Sequence, residues 1–375
     1  MNERPTLVEV KDLKVQFDVR DGIIKAVDGA TFEIKWGRTL GLIGESGCGK
    51  SVTARAILQM VPRPGKVTGG EILYHRLIKS NGSEMTDMVK ITDLDPDGRE
   101  IRDIRGGEIG MIFQEPMSSL TPVYTAGTHI REAVGLHRLI PIRKVGAQMV
   151  ETIRAHRHVT KQEAREIAIE MLQRVGIPKP EQRVDSYPHQ LSGGQRQRVM
   201  IAIALSCQPK MLIADEPTTA LDVSIEAQIL DIMRELQQDV NMAIMFITHN
   251  LGVIAEMAEE ICVMYMGKVV ERASAVEVFH EPQHPYTRAL LKSIPHVGRR
   301  SRERLASIMG MVPDPFNLPS GCVFHPRCPS FMPGKCDQIA PAWTQVGKNH
   351  WARCLLFEEV GEAWLNTYKP TPTYC

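Results

Sequence analysis

The chain has 375 residues, 43% of them hydrophobic, enough for one large α/β domain with a buried core and a smaller appendage. Its formal net charge is +1 with acids and bases interleaved, which excludes the electrostatic footprint of a nucleic-acid binder. Met1 to Lys11 lacks the layout of a signal peptide, and the most apolar stretch, Met242 to Met266, is broken by His249, Asn250, Glu256, Glu259 and Glu260, so no run reaches the roughly 18 residues of a membrane span.

A soluble, cytoplasmic chain is therefore expected, reaching a membrane only through a partner. In chain order, Leu7 to Phe17 alternates loosely and suits an edge strand, and Ala30 to Ile34 suggests another strand. Thr39 to Ile43 is a short apolar run ending at a glycine-rich turn, which predicts a buried strand, and Val52 to Met60 has a helical pattern. Gly69 to Tyr74 predicts a strand. Lys79 to Gly106 is polar and holds the turn signal Asp95-Pro96-Asp97-Gly98, so it reads as an extended hairpin or loop insertion. Glu108 to Phe113 predicts a strand, and Thr128 to Arg174 is mostly helical with a break at Pro141. Lys210 to Asp215, Ala243 to Thr248 and Ile261 to Tyr265 predict further strands. Strands alternating with helices imply a mainly parallel sheet, and the block between Gln114 and Leu191 reads as an inserted helical subdomain. From Ser293 onward Pro, Arg and Cys become frequent and regular pattern fades, which places a domain boundary there. No internal repeat is visible, so one chain carries one such unit.

Gly44-Glu45-Ser46-Gly47-Cys48-Gly49-Lys50-Ser51 matches the spacing G-x-x-x-x-G-K-S/T, followed by Val52. Glycines at these places let successive backbone N–H groups turn inward around phosphate oxygens. Lys50 then supplies a point charge to the β- and γ-phosphates, Ser51 can ligate Mg²⁺, and the following helix points its positive end at the anion. The competing reading is a glycine-rich turn without a ligand; the strand before the loop and the helix after it favour the phosphate site.

Met211-Leu212-Ile213-Ala214 leads into Asp215-Glu216. Two acids closing a buried strand are costly unless a cation sits there. Asp215 is placed to hold Mg²⁺ and Glu216 to polarise an attacking water. Alone, such a pair reads as a solvated turn; beside a phosphate loop it reads as catalytic.

Leu191-Ser192-Gly193-Gly194-Gln195 sits between these two motifs, and Ser192 can cap a helix whose N-terminus carries exposed N–H groups. This pentapeptide resembles the signature motif of ABC ATPases. The resemblance implies that its helix faces the ATP held by a second subunit. In family order, Gln114 resembles the Q-loop residue that touches Mg²⁺ and the transmembrane partner. Asp222 in Ala220-Leu221-Asp222 resembles the D-loop, His249 the switch histidine at the γ-phosphate, and Phe17 the aromatic that stacks on adenine. His284-Pro285-Tyr286-Thr287-Arg288 and Leu318-Pro319-Ser320-Gly321-Cys322-Val323-Phe324-His325-Pro326-Arg327-Cys328 resemble C-terminal hallmarks of the oligopeptide/dipeptide/nickel branch.

That resemblance implies a P-loop NTPase core with a mainly parallel sheet, an antiparallel β subdomain and an inserted helical subdomain at about 115–195. The nucleotide-binding domain is expected over 1–292 and a small irregular, cysteine-containing region over 293–375. It further implies ATP and Mg²⁺, and hydrolysis that drives solute import at the cytoplasmic face of the inner membrane. The implied partners are a second ATPase subunit, a paralogue of this chain, two transmembrane permeases and, indirectly, an extracytoplasmic solute-binding protein; no nucleic acid is implied. The cargo stays open between peptides, nickel and oligosaccharides. A soluble ABC ATPase of ribosomes, DNA repair or iron–sulfur assembly is the rival class, but its double cassette, zinc or coiled-coil insertions are missing here.

Eight cysteines are present, and Cys322, Cys328, Cys336 and Cys354 cluster. In a reducing compartment such a cluster suggests a metal site before disulfides. Intervals of five, seven and seventeen residues lack the paired knuckles usual for structural zinc, while four thiolates are the ligand set of a 4Fe–4S cluster. Zinc and free buried thiols stay open as alternatives.

Overall fold

A computed structural model describes residues 4–80, 83–113, 143–218, 223–293 and 308–357 of the chain. Its strands are β1 (Thr6–Val19), β2 (Gly22–Lys35), β3 (Thr39–Ile43), β4 (Gly65–Ser80), β5 (Ser83–Lys90), β6 (Ile109–Ile112), β7 (Met211–Asp215), β8 (Ala243–Ile247), β9 (Glu260–Tyr265), β10 (Lys268–Ser274), β11 (Thr344–Gly347) and β12 (His350–Ala352). The chain divides into two units. The first comprises Met1–Leu7, Ile34–Thr39 and Tyr74–Ile247, the second Val8–Glu33, Leu40–Leu73 and Thr248–Cys375.

In the first unit β7 lies between β6 and β8, all parallel, with Ile109 opposite Met211 and Met211 opposite Ala243. Every residue of these three strands is buried. Coverage on both faces explains why the sequence there is continuously apolar and not alternating. Helices Val145–His156 and Lys161–Arg174 pack on each other and on Gly193–Leu205. The expected helical block is thus two helices in its second half, parted at residues 157–160; Pro141 lies outside the described residues. Thr160 is the reason for the restart. Its hydroxyl accepts from the Glu163 N–H at 3.3 Å, while Glu163 accepts from the Thr160 N–H at 2.7 Å. Such a reciprocal cap is worth about 1 kcal/mol. Of the polar segment 79–106, β5 is the hydrogen-bonded neighbour of β4, so a hairpin forms, and the short helix Arg99–Asp103 follows. The predicted turn closes through the Gly98 N–H to the Asp95 carbonyl at 2.8 Å.

In the second unit β1 lies between β2 and β4. The stretch read as an edge strand is therefore interior. Alternation reports which face of a strand is buried (here Val8 and Val10, then Leu13 and Val15 past the positive-φ residue Asp12), and says nothing about whether its two edges are hydrogen-bonded. β3 runs parallel to β9, with Leu40 opposite Glu260. β9 and β10 form a hairpin through Met266 and Gly267, whose φ angles of 45° and 77° are those of the primed turns that suit strand twist. The C-terminal region expected to be irregular adds two strands: β12 pairs antiparallel with β10, and β11 with β12. Strands of three and four residues are too short to leave a readable period. Fully buried Glu271 ties this edge together. It accepts from the N–H groups of Gln283 at 2.6 Å and His284 at 2.9 Å, and pairs with His350 Nε2 at 2.6 Å. No helix among the described residues is long and apolar enough to cross a membrane.

Candidate active site

The phosphate-type loop lies in the second unit, between fully buried β3 and the helix Lys50–Ile57. Two of its glycines are obligatory. Gly44 has φ 151°, and a Cβ there would come within 2.2 Å of the Met264 carbonyl oxygen; Gly49 has φ 103°, and its Cβ would come within 2.3 Å of the Ala26 carbonyl oxygen. The loop is thus pressed between two backbone segments. The Gly267 N–H donates to the Cys48 carbonyl at 3.0 Å and fixes its far side.

Lys50 folds back across the loop. Its Nζ donates to the carbonyls of Gly44 at 2.8 Å and Glu45 at 3.0 Å and lies 3.6 Å from Cys48 Sγ. Burial pushes the Cys48 thiol pKa up, against the opposing pull of Lys50. The helix starting at Lys50 has no side-chain cap and no acid in its first turn, so its positive end is not spent on its own residues. Ser46 and Gly47 are exposed, and Ser51 and Val52 are half-buried.

Two residues that sequence reasoning did not attach to this loop touch it. The Glu45 N–H donates to Tyr286 Oη at 2.9 Å, and the Glu45 carboxylate takes a two-pronged ion pair from Arg327 at 2.6 and 3.0 Å. Both belong to the C-terminal hallmark stretches; their motif membership was the only available signal. Also in this unit, the half-buried Phe17 ring lies against Gly65, where a Cβ would sit 2.6 Å from it. His249 is exposed, directly before a helix that Asn250 caps through the N–H groups of Gly252 and Val253.

In the first unit, Asp215 is buried at the end of β7. Glu216 follows with φ 48°, a left-handed conformation unusual for a glutamate, and its N–H donates to the Ile247 carbonyl at 2.8 Å. Backbone strain of this kind collects at functional positions. Ser192 caps the helix Gly193–Leu205. Its hydroxyl accepts from the Gln195 N–H at 3.3 Å, and Gln195 Oε1 accepts from the Ser192 N–H at 3.2 Å. Leu191 is buried beneath this turn, whereas Ser192 and Gly193 are exposed and nothing lies within 4 Å of a Cβ at Gly193. Gln114 and Asp222 lie outside the described residues.

Cys322, Cys328, Cys336 and Cys354 line one cavity in the second unit, with His284, Phe324 and Leu355 in its walls. All four are free thiols. Burial raises the pKa of Cys322 to about 11 and that of Cys354 to about 12, so as thiols they are neutral. Among the described residues no group of three or more His, Cys, Asp or Glu side chains is spaced to hold a single metal ion. The described residues therefore offer a ready-made site neither for the expected cluster nor for zinc.

Residues 27–219 match the ABC transporter family, and residues 270–336 match the oligopeptide/dipeptide transporter C-terminal region. The chain is 46% identical to the oligopeptide transport ATP-binding protein AppD of Bacillus subtilis, over 95% of this chain and 98% of that one. It is 44% identical to a putative peptide import ATP-binding protein of Brucella melitensis (95% and 99% covered) and 42% identical to the dipeptide transport ATP-binding protein DppD of Escherichia coli (93% and 96%). Among solved structures it resembles the dimeric structure of MJ0796, a bacterial ABC transporter cassette, with a TM-score of 0.57 and 26% identity over 72% of this chain and 99% of that one. A second structure of that cassette, in a post-hydrolysis state bound to ADP and Pi, matches equally, at the same TM-score, identity and coverage. The chain belongs to the ABC transporter ATPases. Within that family it carries the C-terminal region of the oligopeptide/dipeptide branch, and it is an ATPase whose family uses ATP with Mg²⁺.

Proposed function

We propose that this chain powers the import of oligopeptides or dipeptides through a membrane transporter, hydrolysing ATP at an interface shared with a second, paralogous ATPase subunit. Two permeases would receive the motion, at the cytoplasmic face of the membrane, with a solute-binding protein supplying cargo on the other side. The observation that carries the reading is the glycine loop closed over buried Lys50, in a chain similar along nearly its whole length to named peptide-import ATPases.

In this reading Lys50 exchanges the Gly44 and Glu45 carbonyls for the β- and γ-phosphates, while the loop from Gly44 to Val52 wraps the anion through the N–H groups that follow Glu45, whose own N–H is held by Tyr286. Ser51 and Asp215, with Gln114, would hold Mg²⁺; bound there, the ion screens phosphate charge. A hydroxyl and a buried carboxylate are the hard oxygen donors that this cation takes. Glu216 orients and polarises water, His249 meets the γ-phosphate, and Phe17 stacks on adenine. Leu191 to Gln195 presents an exposed helix end to the partner's ATP, and Asp222 serves as the D-loop residue. Release of γ-phosphate removes contacts from both subunits and opens the pair. Residues 1–292 form the nucleotide-binding part and 293–375 the appended region. The test is purification through a tag on this chain after mild membrane extraction. Two polytopic proteins and a second ATPase should co-purify, and a peptide-loaded binding protein should stimulate phosphate release. A chain that purifies alone from membranes, or a complex indifferent to every peptide supplied, rejects the reading.

The four cysteines support a second assignment, a 4Fe–4S cluster in their shared cavity. A single zinc needs all four sulfurs about 2.3 Å from one point, whereas a cluster spreads them over separate irons. Its role would be structural or regulatory. Anaerobic purification with iron, sulfide and zinc analysis decides. Brown protein with four irons supports the cluster; colourless protein with one zinc rejects it, and metal-free protein rejects the site.

A further inference from the structure

The phosphate loop carries a carboxylate of its own at its second position. An anion-binding loop gains nothing from an uncompensated negative charge, since like charges a few ångströms apart repel strongly where water is scarce. Glu45 is nonetheless there, and what cancels it is Arg327, which lies 282 positions further along the chain.

The contact is built, not incidental. Arg327 holds both Glu45 oxygens, at 2.6 and 3.0 Å, in the planar fork geometry that guanidinium provides. Its side chain is only 4% exposed. Two further donors are used as well, Nε on the Met309 carbonyl at 3.3 Å and Nη1 near Tyr265 Oη at 3.4 Å. A cation buried this far requires its counterion. The same region also grips the loop backbone, through Tyr286 Oη on the Glu45 N–H. Tyr286, Tyr265 and Phe324 form a ring cluster with centroids 4.6 to 5.4 Å apart, and Phe324 stands between Cys322 and Arg327 in sequence. The thiol cavity and the phosphate loop are therefore joined by one short run of packed side chains, all within the second unit.

We propose that Arg327 is a positioning residue of the nucleotide site: by neutralising and holding Glu45 it sets the loop's affinity for triphosphate, and through it the order of the cysteine segment is transmitted to ATP binding. The proposal rests on the reading of Gly44 to Ser51 as the phosphate site. Cys322 and Cys328 bracket Arg327, so a segment that loses its shape withdraws the guanidinium and leaves Glu45 facing the phosphates.

The test is equilibrium binding of MgATP to the full chain, with thermal melting alongside, for Arg327→Gln, Glu45→Gln, the double variant and Arg327→Lys. Arg327→Gln should weaken MgATP about tenfold, a difference of about 1.4 kcal/mol, and weaken ADP less because ADP carries less charge. Glu45→Gln alone should bind as well as wild type or better. The double variant should return to within about twofold of wild type, the signature of charge coupling. Arg327→Lys should fall between. A purely structural staple predicts otherwise: a lower melting temperature, unchanged affinity and no rescue, and that result overturns the proposal. If Arg327→Gln does not fold, Glu45→Gln and Arg327→Lys decide; weaker binding in Glu45→Gln or wild-type binding in Arg327→Lys refutes it. Lys50→Ala separates the two levels. Wild-type affinity in that variant removes the phosphate-loop reading and the proposal with it. Lost affinity in Lys50→Ala beside normal affinity in Arg327→Gln sinks the proposal alone.

Discussion

Replacing Gly49 by alanine puts a methyl group where the loop has no room. A Cβ at this residue would lie 2.3 Å from the Ala26 carbonyl oxygen, a backbone atom that cannot rotate away. Ordinary non-bonded contact is about 3.5 Å, so one of the two segments must give by about 1 Å. The φ of 103° adds torsional strain, about 1–2 kcal/mol for a residue with a Cβ in left-handed backbone. Gly49 also accepts from the N–H and hydroxyl of Thr53, both at 2.9 Å, so its shift moves the first helical turn and Lys50 with it. A displacement of about 1 Å in a positioned group costs about 100-fold in rate, and a drop of that size in kcat/KM for ATP is expected. Stability should fall by about 2–3 kcal/mol, leaving a folded protein. Phosphate release against MgATP concentration gives the first quantity and thermal melting the second. Gly47→Ala is the internal control. At φ 80° it carries the torsional strain, but nothing lies within 4 Å of its Cβ, so it should lose far less. A folded Gly49→Ala within about threefold of wild type, under roughly 1 kcal/mol of barrier, would refute the reasoning, as would equal losses in the two variants.

Glu216→Gln should still bind ATP but hydrolyse it at least about 100-fold more slowly and accumulate as an ATP-bound pair; turnover within threefold of wild type removes its assigned role. Ser192→Arg should leave ATP binding at the variant's own Lys50 loop intact and damage hydrolysis at the partner's site; loss confined to its own site, measured in mixed pairs, rejects the shared interface. Gly193→Ala probes the same face more gently. With open space around its Cβ the isolated chain should keep its melting temperature, so a drop in hydrolysis of the assembled pair reports a surface this chain does not itself contain. Glu271→Ala leaves the half-buried N–H of Gln283 and the buried N–H of His284 without their acceptor and should cost about 3 kcal/mol in denaturant unfolding; a loss below about 1 kcal/mol refutes its bracing role.

What was legible in the sequence is what leaves a mark on a run of neighbouring residues. The loop between β3 and its helix, the apolar run ending in Asp215 and Glu216, and the cap at Ser192 and Gln195 each fix several residue types at a set spacing, even where, as at Gly44 and Gly49, distant backbone imposes the constraint. Those residue types reveal them. Four cysteines could be noticed as a group, but not that they share one cavity with Phe324 and His284. Likewise β1 shows its buried face through alternation, while its two hydrogen-bonded edges leave no mark on residue choice. Only tertiary structure decided that Tyr286 and Arg327 hold Glu45 across 241 and 282 positions. A tyrosine or arginine looks the same in sequence whether it is solvated or buried against a distant carboxylate, because the burial and the counterion that give it a role are created by the packing of segments and are written in neither segment alone.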